Sequence, residues 1–322
     1  MAHPLFVGVD IAKLTFVAHI HGRKHSKTFS NDSEGFDKLV RWLGADSSQQ
    51  IHVAMEATGR YHQHLANHLV SREIGTFVVN PKRLKNYARS QSRHSKTDAA
   101  DAQLIATYLC KHVELLRPYK PAPEAMQRLQ QLMRRCEQLK QQRKQERTRA
   151  KELQAVNDPT LDSCVRMQEF ITQELKRLEQ QLDELLKQDE QLHTNYKLLL
   201  SIPQVGKVLA LTWLAEIDEQ NFQWAKDITA WLGLAPLEYS SGTSVYRPGQ
   251  ISHGNIRLRQ ALYMGAMGAL TNEQWEDWLE PQQARGKSGN KLLVALMDKL
   301  LRVCWGVLKH QQPFCPKTAF GA

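Results

Sequence analysis

Four acidic residues stand where an α/β sheet would gather them. Asp10 closes the apolar run Phe-Val-Gly-Val-Asp, Glu56 closes His-Val-Ala-Met-Glu, and Asp98 and Asp101 lie three apart in Lys-Thr-Asp-Ala-Ala-Asp-Ala. That spacing puts the last two on one face of a helix. Carboxylates brought together repel one another: a pair at ~4 Å costs about 4 kcal/mol at an effective dielectric of ~20. Divalent cations remove that cost. Hard oxygen ligands suit Mg²⁺, and two such ions can activate an attacking oxygen and stabilise a leaving one in phosphoryl transfer. Singly, each acid reads as an ordinary surface residue. Together they predict one Mg²⁺ site made of Asp10, Glu56, Asp98 and Asp101.

The elements that would position them follow from pattern. Leu5 to Val9, Leu14 to Ile20 and Lys24 to Phe29 read as three strands with a turn at His21-Gly22. Asn31, with Glu34 three positions on, predicts a helix cap, and Phe36, Leu39, Val40 and Leu43 fall on one helical face. Ile51 to Met55 is a buried strand, Tyr61 to Arg72 a helix, and Thr76 to Val79 another strand. Helices open at Pro81 and Asp98. Three leading strands followed by alternating helices and strands describe an α/β domain of the ribonuclease-H-like kind. In such a sheet the first and fourth strands are neighbours, which would set Asp10 beside Glu56.

The pattern changes after Pro121. Ile171, Leu175, Leu178, Leu182 and Leu185 repeat at spacings of four and three, a heptad seam, and Leu129, Leu132, Cys136 and Leu139 are spaced similarly. Asn157-Asp158-Pro159 breaks the two stretches, which predicts an antiparallel helical hairpin. Its first arm is basic through Arg134, Arg135, Lys140, Arg143, Lys144, Arg147, Arg149 and Lys151. Such a face either contacts nucleic-acid backbone or is a solvated helix surface. Ser201 to Gly206 sits between two apolar helical runs, either as a phosphate-approaching turn or as a plain connector. Asn255 to Ala269 and Leu292 to Leu308 are helices, so the last region is expected to be mainly α. The expected division is 1–118, an acid-bearing α/β domain; 119–195, a helical coiled coil; and 196–322, a mainly α domain. Ser240-Ser241-Gly242 reads on its own as a turn, and Trp213, Trp224, Trp231, Trp275, Trp278 and Trp305 read as core. Arg247, Arg257 and Arg259, with His253, stand as phosphate contacts or salt-bridged surface. His64 and His68 have the spacing of a zinc pair but lack a further ligand nearby.

The balance of charge points to a polyanionic partner. Forty-three Lys and Arg face 33 Asp and Glu, a formal net charge of +10. Five scattered cysteines without a Cys-x-x-Cys give neither a disulfide framework nor a zinc ribbon. The first residues carry no cationic start before a long apolar run, and no stretch is long enough to span a membrane. A cytoplasmic location, near the bacterial nucleoid, is expected.

Val-Gly-Val-Asp-Ile-Ala-Lys, Glu-Ala-Thr-Gly-Arg-Tyr, Val-Asn-Pro and Lys-Thr-Asp-Ala-Ala-Asp-Ala together resemble the acidic motif of DEDD-type transposases of the insertion-sequence-110 family. Ser-Ile-Pro-Gln-Val-Gly, Gly-Leu-Ala-Pro, Ser-Gly-Thr-Ser and Gly-Asn-Ile-Arg-Leu-Arg-Gln-Ala-Leu resemble that family's C-terminal transposase domain. The resemblance implies a RuvC-like N-terminal domain whose four acids are Asp10, Glu56, Asp98 and Asp101. It implies a catalytic serine at Ser241, next to the confusable Ser240 and Ser244. It further implies recombination of donor and target double-stranded DNA by a homo-oligomer, guided by an element-encoded bridge RNA. The rival expectations are a metal-dependent junction nuclease, which the acids alone would serve equally, and a non-catalytic nucleic-acid-binding protein.

Overall fold

The computed structural model describes residues 4–44, 50–57, 59, 61–91, 97–218, 222–235, 237–241, 245–251 and 254–320, with the side chains of 237–241 and 245–250 outside the description. The chain divides into two compact units, Met1–Pro121 and Ala122–Ala322.

The first unit contains strands β1 (Leu5–Ile11), β2 (Thr15–Ile20), β3 (Ser26–Ser30), β4 (Ile51–Glu56) and β5 (Gly75–Val79). Its helices are α1 (Ser33–Leu43), α2 (Tyr61–Ser71), α3 (Pro81–Ser90) and α4 (Asp98–His112). The sheet order is β3-β2-β1-β4-β5. The first three strands form an antiparallel meander, while β1, β4 and β5 run parallel. Side chains alternate across the sheet. Val7, Val9, Val53 and Met55 enter one core with Phe36, Leu39, Leu65 and Leu69 of α1 and α2. Ala54 and Phe77 enter the other with Leu84 of α3 and Ile105 and Leu109 of α4. A central strand covered on both faces explains why β1 and β4 are almost continuously apolar.

Helix α1 begins one residue later than the Asn31 cap predicts. Asp32 is the cap, and its Oδ1 accepts from Gly35 N at 2.8 Å. That bond, with one from Ser30, holds the Asp32 carboxyl below its ordinary range. Asn31 is used elsewhere: its Nδ2 donates to Ala12 O at 3.0 Å, tying the loop after β3 to the end of β1.

The second unit is one core of long helices. Helices α5 (Glu124–Ala155) and α6 (Leu161–Gln188) flank the expected break and run antiparallel, with Arg143 donating to Thr172 and Gln168 to Glu146. They are followed by α7 (Glu190–Leu200), α8 (Lys207–Glu216), α9 (Ala225–Trp231), α10 (Ile256–Ala269), α11 (Glu276–Ala284), α12 (Gly289–His310) and α13 (Pro316–Phe320). Residues 209–215 of α8 are all buried, and Gln130 of α5 donates to Ala215 O at 2.7 Å, fixing the hairpin to this core. Ser201–Gly206 is the connector between α7 and α8, where the Ser201 hydroxyl accepts from Phe314 N at 2.8 Å. The last region is mainly α as expected, with one addition: Leu237–Ser241 and Val245–Gln250 pair as an antiparallel ribbon, β6 and β7. Pro248 and Gly249 hid the second strand from a pattern reading. The pairing shifts register across the stretch facing Leu237–Tyr239, where a residue without an N–H is tolerated. Among the described residues no helix is long and apolar enough to cross a membrane.

Gly8 is the point where α4 presses most directly on the sheet. A Cβ placed there would stand 2.2 Å from both Ala102 O and Ala106 N of α4. Neither backbone atom can move without lifting the helix from the sheet. Gly8→Ala is therefore expected to lower unfolding stability by about 2–3 kcal/mol, as overpacking does, and Gly8→Val by more. Urea titration of the wild-type and variant proteins measures it.

Candidate active site

The contact at Gly8 also sets where the acids lie. Strand residues rise about 3.3 Å each and helix residues about 1.5 Å. Two residues beyond Gly8 on β1 thus correspond to about four residues along α4. With Ala102 and Ala106 seated over Gly8, the first turn of α4 comes level with Asp10. Asp10 shares its sheet face with Gly8, and Glu56 shares that face with Ala54. Val9 and Met55 are register partners, so the two acids leave parallel neighbouring strands side by side. Asp98 opens α4 after its cap, where Thr97 accepts from Ala100 N at 3.2 Å, and Asp101 lies in the same turn.

The electrostatics at Asp10 are in keeping with this placement. The Asp10 carboxyl is raised from 3.8 to about 6, first by burial and then by the charges of Asp101, Asp98 and Glu56, with a bond from the Ile11 backbone opposing. All four predicted acids therefore feel one another at Asp10. Among the described residues no three His, Cys, Asp or Glu side chains form a ready cation cage. The two observations differ in range. Charge coupling acts over several ångströms, whereas Mg²⁺ requires oxygens at about 2.1 Å. The donor set is all hard oxygen and mutually repelling, which fits a divalent cation. Drawing the carboxylates in around an ion requires side-chain rotation.

The other expected residues lie in the second unit. Ser241 is the last residue of β6, paired with Val245 across the ribbon. It occupies a strand end rather than the turn expected from its sequence. Gly242 and Ser244 lie outside the described residues, as does His253. Arg247 falls in β7. Helix α5 carries nine Lys and Arg against four Glu. Of the expected contacts on it, Arg135, Lys144 and Arg147 are exposed, while Arg134 and Arg143 are half-buried. Arg149 is ion-paired with Glu146. Arg257 is paired with Glu137 of α5 at 2.5 Å, which raises its proton affinity further and gives it the salt-bridged role. His68 lies 3.3 Å from Asp37 and against the Phe36 ring, a packing role rather than half of a zinc pair. The tryptophans divide: Trp213 and Trp275 are buried, but Trp224 is 53% and Trp231 41% exposed, against the expectation that all are core.

Comparison with known proteins identifies the family of the chain. Residues 7–156 match the model of a transposase family, the DEDD type of insertion sequence 110, and residues 196–279 match the transposase IS116/IS110/IS902 family. A pilin gene-inverting protein of Moraxella bovis is 32% identical over 318 residues, spanning 96% of this chain and 97% of that one. The transposase for insertion sequence element IS1328 of Yersinia enterocolitica is 24% identical over 343 residues, covering 95% and 97%. The transposase for IS1111A of Coxiella burnetii is 31% identical over 120 residues, about a third of each chain.

The raised Asp10 carboxyl has a stability signature. A carboxyl that binds its proton more tightly when folded stabilises the fold below its unfolded value near 3.8. That contribution is lost as pH rises through about 6. A shift of roughly two units corresponds to about 3 kcal/mol at most. In metal-free buffer at pH 7, Asp10→Asn should therefore unfold at higher denaturant than wild type, by about 1–3 kcal/mol, and the gain should vanish near pH 4. Equal stabilities at both pH values would show that the acids are not coupled.

Proposed function

The chain belongs to the IS116/IS110/IS902 family of transposases and is a DNA recombinase, and from that premise we propose that it exchanges DNA strands through a divalent-cation site in a RuvC-like first domain and a serine nucleophile in the second unit. The observation that supports the first half is that Asp10, beside Glu56 at neighbouring strand ends and beneath the first turn of α4, has its proton affinity raised by burial and by the charges of Asp101, Asp98 and Glu56. The second half rests on the match of Ser240-Ser241-Gly242 to the family's C-terminal motif. In this reading residues 1–118 hold the acids, 119–195 form the coiled-coil arm and 196–322 carry the serine.

Mg²⁺ bound by the four carboxylates would supply charge to an attacking and a leaving oxygen in phosphoryl transfer. The chain's own contribution is placement. Strand ends fix Asp10 and Glu56, the capped first turn of α4 fixes the other two, and Gly8 sets the distance between them. Ser241 Oγ would form a bond to phosphorus as one phosphodiester P–O bond breaks. The proton lost by the serine balances the one gained by the departing DNA hydroxyl. Attack by a hydroxyl of the second strand reverses the step and frees the serine, so one ester replaces another throughout. Donor and target duplexes are the substrates, and an element-encoded bridge RNA is the guide. A homo-oligomer, dimer or tetramer, would bring two duplexes together and could complete the site from two subunits. Arg134, Arg135, Arg143, Lys144, Arg147, Arg247 and Arg257 are the proposed backbone contacts, with Arg257 requiring release from Glu137.

Replacing Arg143, Lys144 and Arg147 with Gln should weaken nucleic-acid binding and lower the slope of log affinity against log salt by up to about 3. An unchanged slope assigns this face to solvent or to subunit contact.

Ser241→Ala removes one oxygen and little volume. It should abolish recombination and any covalent protein–DNA adduct on denaturing gels, while Ser240→Ala and Ser244→Ala retain both. Asp98→Asn should also abolish recombination. An adduct formed by Ser241→Ala overturns the serine assignment. Normal cleavage without an adduct identifies a hydrolytic nuclease instead. Activity from a mixture of Ser241→Ala and Asp98→Asn subunits would indicate a site built across subunits.

A further inference from the structure

The exposed tryptophans form part of a patch that the strand-exchange chemistry does not use. Trp224 caps α9, held by its main-chain N–H to Asp227 Oδ2 at 3.2 Å. Lys309, near the end of α12, lies 5.3 Å from the Trp224 ring centre and 5.7 Å from that of Trp305. Its ammonium also donates to Gln223 O at 3.5 Å. Phe222 meets Trp231 edge to face at 5.6 Å. A cavity of about 410 Å³ opens beside them, lined in part by Phe222, Trp305 and Lys309. That size lies within the range of small-ligand pockets.

Two features of this patch select its occupant. The first is the forfeited burial. Tryptophan gains more from being covered than most residues, yet two indoles keep about half their surface in water on a unit that buries two others completely. The second is charge. Lys309 is fixed against two ring faces, and among the described residues no carboxylate stands within ion-pair distance of it. Lys226 adds a second exposed cation on α9. Exposed aromatic faces interleaved with cations complement a strand whose bases are unpaired and whose backbone is anionic.

We propose that Trp224 and its neighbours form a stacking platform for unpaired nucleobases, with Lys309 contacting the adjacent phosphate. The proposal rests on the chain acting on nucleic acid but not on the acids or on Ser241. Unpaired DNA and RNA share the relevant chemistry, the π face and the phosphate, so the same platform would take either.

Fluorescence anisotropy with labelled 12-nucleotide DNA and RNA single strands, and with the corresponding DNA duplex, tests it. Trp224→Leu should weaken single-strand binding by about tenfold or more and leave duplex binding within about twofold. Trp224→Phe, which keeps a ring, should retain most of the affinity. Lys309→Gln leaves every ring in place and should lower the single-strand salt slope by about 0.7. A loss confined to RNA or to DNA supports the platform and identifies its strand. Unchanged single-strand affinity in Trp224→Leu overturns it, as does an equal loss on duplex. So does a smaller sedimenting species, which would make the patch a protein contact. Asp10→Asn should bind single strands like wild type while losing recombination. Failure of the platform is thereby separated from failure of the recombinase mechanism.

Discussion

Burying a carboxylate within reach of three others is the constraint around which the first unit is arranged. A domain is stable by only about 5–15 kcal/mol. Raising one half-buried carboxyl by roughly two units costs at most about 3 kcal/mol of that at neutral pH, and less once solvent screening is counted. The strands and helix that gather the acids must supply the difference. They do so by close packing: β1 and β4 are buried on both faces, and α4 sits on β1 with only a glycine between them. The first turn of α4 also contributes, because negative charge at a helix N-terminus is favoured by the unpaired backbone N–H groups there. Asp10, at its strand end, has only the Ile11 backbone N–H to oppose burial and the neighbouring charges, and its proton affinity is raised.

What was legible in the sequence follows from how local each signal is. The runs ending in Asp10 and Glu56 are apolar because the strands are buried on both sides, and that pattern survives without knowing what covers them. The side-by-side placement of the acids needed the β1–β4 pairing, which element order supplies. The position of α4 did not lie in any single motif. Gly8 reads as an unremarkable strand glycine until the helix above it is known. The helix cap was misread by one residue because Asn31 and Asp32 are equally good caps, and tertiary contacts of Asn31 with Ala12 decide between them.

The second unit was less legible for a different reason. Basic helices look alike whether their charges face a polyanion or a carboxylate on another helix. Arg257 finds Glu137 more than a hundred residues away, a pairing that no local window contains. The ribbon at Ser241 was hidden by Pro248 and Gly249, which ordinarily end strands, and by a register shift that accommodates them. The tryptophans failed as a group because one rule was applied to all of them. Apolar character sends most aromatics inward, and only the packing of each helix shows which ones have no partner to cover them.

On the proposed mechanism, separating the acids from a serine nucleophile along the chain would have a physical consequence. A nucleophile lodged permanently beside four carboxylates would face their field whenever no cation was present, and a serine oxygen gains nothing from negative charge around it. Carrying it on another unit lets each part be stable by itself. The acid site can hold its strain against the α4 packing, while the ribbon pairs within itself. A carboxyl raised only to about 6 still ionises near neutral pH, so the proton at Asp10 would be a modest competitor to a cation. The barrier that remains is geometric: the carboxylates must rotate inward, and that rotation is favoured only when an ion is there to offset their repulsion. On the proposed mechanism, DNA oxygens that share the ion would complete this balance. The strained arrangement would then relax most fully when substrate is in place, which ties chemistry to assembly.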